Sequence, residues 1–118
     1  FKRQKKNIDW DVDKIFKIYN HLYENKLLKM FICSKDKINL SFTIFGVINN
    51  KAIYLNGARS EQSNQDYSLT YNMISSLFSL KEIGVEIVDL EGVNSPKRGF
   101  WKLGFGGSLS PYYNISFD

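Results

Sequence analysis

Between Ile38 and Ile44 the chain alternates strictly, with Ile38, Leu40, Phe42 and Ile44 at one parity and Asn39, Ser41 and Thr43 at the other. Period two belongs to a strand, whose successive side chains point to opposite sides. This stretch therefore commits the chain to a sheet with two well-defined faces. Phe45 breaks the alternation and Gly46 follows, which predicts a bulge or local splay. Asn49-Asn50 is a hairpin signal, because Asn tolerates the left-handed conformation such turns require, so Lys51 to Ala58 should return antiparallel. Upstream, Leu27 to Cys33 reads as a further strand, with a turn at Lys35-Asp36-Lys37. A three-stranded meander results.

Helical periodicity flanks it. Val12, Ile15, Phe16, Tyr19, Leu22 and Tyr23 share one face of a helix over residues 9–26, with Asp9 or Asp11 as cap. After the polar loop Arg59 to Gln65, a second helix is predicted over 66–83, capped by Asn64 or Asp66 and stopped by Gly84. Its expected inner face is Thr70, Met73, Ile74, Leu77 and Phe78. Val85 to Leu90 reads as a short buried strand, and a helix leading at once into a strand implies a crossover packed on the sheet. A loop at Glu91 to Pro96, a short helix at Arg98 to Leu103 and a last strand at Ser110 to Phe117 complete the order; Tyr112 and Tyr113 should split between core and outside. The predicted class is α/β (α+β): one mixed sheet with helices on both faces, a single domain over residues 1–118. This order is that of the acyltransferase fold named after Gcn5-related N-acetyltransferases (GNAT).

The composition fits an ordinary globular domain, at 43% hydrophobic and 24% charged residues in 118. The net charge of +4 is concentrated, since residues 1–37 hold ten Lys/Arg against five Asp/Glu. Within that third, Lys2, Arg3, Lys5 and Lys6 suit nucleic acid, phosphate or an anionic membrane surface, or simply a solvated start. Cys33 is the one cysteine. No internal disulfide can form, no Cys/His cluster offers a metal site, and a reducing, cytoplasmic setting fits, with a peripheral position at the inner membrane face as an alternative. His21 reads as a packing or surface residue ahead of a catalytic base. No apolar run reaches the length of a bilayer span. The first residue, Phe1, suggests a piece of a longer chain.

The chemistry concentrates in Gly99-Phe100-Trp101-Lys102-Leu103-Gly104-Phe105-Gly106-Gly107. Glycines are costly in a helix, so such a run predicts close backbone approach or positive φ. Acyl transfer to an amine develops an oxyanion, and a fixed cation in a water-poor site stabilises it. Lys102, between Trp101 and Phe105, suits that role; alternatively it snorkels over aromatic surface or forms a cation-π pair with Trp101. Gly104 and Gly106 would let a substrate near. Asp89 and Glu91 fall at a strand end, where acids and bases of open sheets emerge; either is a candidate proton acceptor, and the competing reading has Asp89 capping its loop or pairing with Lys97 or Arg98. Arg59 and Arg98 are candidate phosphate-binding residues.

Val88-Asp89-Leu90-Glu91-Gly92, followed by Trp101-Lys102-Leu103-Gly104-Phe105-Gly106, resembles the C-terminal half of the acyltransferase domain in Fem-type (FemABX) peptidoglycan aminoacyltransferases. Tyr54-Leu55-Asn56-Gly57-Ala58 resembles the strand that precedes the family's central helix. The resemblance implies transfer of an aminoacyl group from aminoacyl-tRNA, or of another acyl group, to an amine on a cell-wall precursor or other acceptor. It also implies that the lysine matched by Lys102 lies near the reacting carbonyl, and it raises a second GNAT-like domain upstream. Acetyl-CoA enzymes of this fold place a glycine-rich loop before the central helix, where backbone N–H groups bind pyrophosphate; residues 59–65 hold no glycine, so coenzyme A is disfavoured as a cofactor at this stage. The alternatives are a binding or scaffold domain that kept the fold, and a small acetyl-CoA-dependent N-acetyltransferase.

Overall fold

A computed structural model of the chain describes residues 12–60, 67–92 and 96–110, with the side chains of Pro96, Arg98 and Phe100 also outside the described set. The caps expected at Asp9, Asp11, Asn64 and Asp66, the basic run at Lys2 to Lys6, the glycine-free loop after Ser60, and Tyr112 and Tyr113 all lie outside the described residues. Of the predicted last strand only Ser110 is described, and it is not in a strand.

The amphipathic start of the chain forms α1 (Val12–Glu24). Lys26 closes it in the left-handed region at φ 59°, and Leu27 N–H donates to the Leu22 carbonyl at 2.8 Å, which satisfies a terminal carbonyl. The meander follows as β1 (Leu28–Lys35), β2 (Ile38–Ile48) and β3 (Lys51–Arg59). Both hairpins turn through left-handed residues, Asp36 and Lys37 in the first and Asn49 in the second, and each joins antiparallel strands. The crossover helix α2 (Ser68–Glu82) ends before Gly84, whose φ is +98°. It returns the chain to β4 (Ile87–Asp89), which pairs parallel to β3 and completes a four-stranded sheet in the order β1-β2-β3-β4. Last comes α3 (Pro96–Leu103).

Two expectations about faces need correction. The predicted bulge falls at Phe45, but the extra residue belongs to the partner strand: Ile44 faces Asn56 and Phe45 faces Tyr54, which leaves Leu55 unopposed. The bulge shifts the parity of β3, so Tyr54 and Ala52 share the face of Gly57 and Arg59. The second correction concerns α2. Ser68, Asn72, Met73, Ser76 and Leu80 are buried, whereas Ile74 and Phe78, expected inside, are 43% and 66% exposed. The helix is rolled so that polar residues meet the sheet.

Those residues meet the polar parity of β2. Ser41 and Thr43 are buried, and the Thr43 hydroxyl donates to Asn72 Oδ1 at 2.8 Å. Ser76 Oγ lies 2.9 Å from Thr43 Oγ1, Asn72 Nδ2 donates to the Phe31 carbonyl at 3.0 Å, and Ser41 Oγ donates to the Ser68 carbonyl at 3.0 Å. Buried polar groups are tolerated when hydrogen-bonded in this way. The apolar core, Phe45, Ala52, Met73, Leu80 and Val85, sits on the same side of the sheet, towards the carboxyl end of α2. Thus α2 is anchored by hydrogen bonds at its amino-terminal half and by apolar packing beyond. The opposite face is more open, with Met30 and Ile32 each just over half exposed at 52% and 54%.

Candidate functional site

Parallel pairing in this sheet is brief. β3 and β4 run together only from Lys51↔Ile87 to Ile53↔Asp89, after which β3 continues to Arg59 without β4 beside it. The chain leaves β4 through a tight turn in which Asp89 Oδ1 accepts the Glu91 N–H at 2.8 Å and Glu91 takes φ 66°. Among the described residues the result is a gap at the carboxyl ends of the parallel pair, the place where open sheets bind ligands. Part of the free stretch of β3 is capped locally, since Gly57 N–H donates to Asn56 Oδ1 at 2.8 Å.

α3 stands over this gap. Trp101 lies 6.4 Å from the Tyr54 ring and meets Phe105 edge-on at 4.9 Å. Its indole N–H donates to Thr70 Oγ1 at 3.0 Å, linking α3 to the first turn of α2. Lys102 Nζ donates to the Gly92 carbonyl at 3.0 Å and sits 5.6 Å from the centre of the Tyr54 ring. The cation-π partner is therefore Tyr54, across the gap, in place of the expected Trp101. The aromatic wall continues from Tyr54 to Phe45 at 5.6 Å and on to Phe31 at 5.9 Å.

Of the other sequence-derived residues, Asp89 and Glu91 are exposed at the end of β4, and Asp89 caps its own loop, the competing reading given above. Arg59 is half-buried at the end of β3, paired in register with Ser41 and so on the α2 side of the sheet. Ser41 in turn bonds to Ser68, which brings Arg59 to the amino end of α2. Among the described residues Tyr67 at that end makes no side-chain cap and the first turn holds no acidic residue, so its backbone N–H groups and dipole suit an anion. Arg98 lies in α3, with its side chain outside the described set. Gly104 and Gly106 form the exposed turn after α3. Gly106 needs its glycine for φ +83°, yet a Cβ at Gly106 or Gly107 meets nothing within 4 Å; close backbone approach is not what these two positions show.

Tyr54 and Thr70 escaped sequence reasoning as site residues. A signal for Tyr54 existed in Gly57, since a glycine inside a strand marks a bulge or a close approach. A Cβ at Gly57 would run into the Tyr54 hydroxyl and come within 3.1 Å of the Phe42 carbonyl. Thr70 gave no such signal, because its role depends on where α3 lands. A separate hollow of about 550 Å³, lined by Leu77, Lys81, Gly84, Val85, Glu86 and Val88, opens at the other end of α2. It flanks the amino end of β4, the wrong end of a parallel pair for ligand binding. Among the described residues no group of three or more His, Cys, Asp or Glu is placed to hold a metal ion, and no helix is long and apolar enough to cross a membrane.

No protein-family model and no curated protein matches the sequence. Solved structures match the fold. A predicted acetyltransferase with acetyl-CoA from Clostridium acetobutylicum is 16% identical and aligns over 98% of this chain and 84% of its own, with a TM-score of 0.74. AAC(6')-Iy in complex with the bisubstrate analog CoA-S-monomethyl-acetylneamine is 10% identical over 98% of this chain and 85% of its own, at 0.66. The ribosomal-protein-alanine N-acetyltransferase from Brucella melitensis biovar Abortus 2308 is 10% identical over 83% and 75%, at 0.63. The chain has the GNAT fold, an α+β domain with a mixed four-stranded sheet.

These matches overturn the expectation that coenzyme A is disfavoured. Two of the three structures hold acetyl-CoA or a CoA conjugate in this fold. The loop argument treated glycine as the source of phosphate-binding N–H groups, whereas the first turn of any helix, α2 included, carries such groups without it. Nothing among the matches points to the Fem-type family in particular.

Proposed function

We propose that the chain is an N-acyltransferase domain that takes an acyl group from a coenzyme A thioester and passes it to an amine. The observation that carries this reading is the gap that the described residues leave beyond Ile53 and Asp89, with the amino end of α2 at one side and α3 above, in a fold that holds acetyl-CoA in a structure similar to this one. The residues present fit such a donor. The stretch of β3 beyond Ile53, which no described strand pairs with on the β4 side, suits an extended, amide-bearing arm, as a strand edge suits a peptide. Arg59 and the first turn of α2 suit the diphosphate.

When bound, the donor supplies an acyl carbonyl activated by its bond to sulfur. Transfer makes a C–N bond and breaks the C–S bond. Lys102, steered by the Gly92 carbonyl and the Tyr54 ring, places positive charge beside the gap, where charge develops on the acyl oxygen. The attacking nitrogen must give up a proton, and Asp89 and Glu91 are the described carboxylates at this end of β4; the released sulfur takes a proton in return. Trp101 and Phe105 keep water from the reacting atoms.

A second reading is Fem-type aminoacyl transfer to a cell-wall precursor. It is supported by the meeting of the two halves of the resembling motif through Lys102 and Gly92. One assay separates the two: acetyl-CoA is supplied with a panel of primary amines and peptide amino termini, and free thiol is followed. Amine-dependent thiol release is expected. Transfer from aminoacyl-tRNA with none from acetyl-CoA contradicts the first reading and favours the second.

A further inference from the structure

α3 takes no part in the strand pairing and packs against the other described elements. It reaches them through side chains, by Trp101 and Phe105 against the core, the Trp101 indole on Thr70 and Lys102 on Gly92 and Tyr54. The half-buried Trp101 thereby spans from Tyr54 on β3 to Thr70 on α2, beside the gap that the described parts of β3 and β4 leave open.

We propose that Trp101 is a latch on the donor path: its hydrogen bond to Thr70 holds α3 closed over the gap, and the acyl donor enters only when that bond breaks and the indole swings away. Trp101 is a positioning residue in this account, acting through α3. The inference rests on the proposed donor site and adds a closed state that opposes binding. When the competent state is a minor one, the apparent dissociation constant is the intrinsic one divided by the open fraction. Weakening the latch then tightens binding, whereas a merely structural contact, once lost, weakens or spares it.

The test uses Thr70→Val, which removes the acceptor while keeping the shape, and Trp101→Phe, which removes the donor and keeps a ring between Tyr54 and Phe105. Acetyl-CoA affinity is measured by calorimetry for the wild type, each variant and the double variant. Each single variant should bind about five-fold more tightly, which is one neutral hydrogen bond of about 1 kcal/mol, and the double variant should gain no more than either single, as two halves of one bond require. In a background where Trp10 is Phe, the Trp101 indole N–H resonance should shift on acetyl-CoA addition and exchange faster with water. Unchanged or weaker binding in both variants, with folding intact and the indole signal unmoved while β3 resonances shift, overturns the latch alone. Absence of any binding by the wild type at millimolar acetyl-CoA overturns the donor reading and the latch with it.

Discussion

Gly57 and Tyr54 make a contact that glycine alone permits. The bulge at Leu55 puts both on one face of β3, and the phenol fills the space a Cβ at Gly57 would take. Gly57→Ala should therefore push the ring out of the aromatic wall and cost about 1–3 kcal/mol, as overpacking does; urea unfolding measures it, and Tyr54→Phe in the same chain should recover part. Lys102→Met keeps the stem and removes the charge. It should lower kcat about a hundred-fold, the scale of one lost electrostatic contact in the transition state, and leave the unfolding midpoint nearly unmoved, since a half-exposed cation-π pair contributes little. The neighbourhood of Lys102 was legible because Trp101 and Phe105 adjoin it in the chain. Its actual ring partner was not, because Tyr54 becomes a neighbour only through the bulge and the approach of α3.

At the level of elements, α2 inverts the usual rule, with Asn72 and Ser76 inside and Phe78 outside. Two variants discriminate. Asn72→Ala removes one of the two partners of Thr43 Oγ1 and the amide that donates to the Phe31 carbonyl, and should destabilise by about 2–3 kcal/mol. Phe78→Ser, a large apolar deletion by composition, should fall within about 0.5 kcal/mol of wild type. The opposite ranking in urea unfolding would restore the face expected from periodicity. The four described strands, their turns and the stop signal were legible since each depends on local chemistry: alternation in β2, Asn at the hairpin, Gly84 after α2. The roll of α2 was not, because apolar periodicity cannot see that Ser41 and Thr43 supply hydrogen bonds to a polar helix face.

For the whole molecule, the order helix, meander, helix, strand, helix was readable and led to the GNAT fold, which the structural matches bear out over nearly the entire chain. The case against coenzyme A failed, because structures of this fold hold it and a loop's composition is a poor proxy for the N–H groups at a helix end. Placement decides this, and placement can be measured. Backbone hydrogen exchange, with and without saturating acetyl-CoA, tests the central claim that the gap between β3 and β4 holds the donor. Slower exchange should appear at residues 54–59 and in the first turn of α2, with the hollow beside Leu77 and Val85 unchanged. Protection confined to that hollow, or none anywhere, would contradict the account.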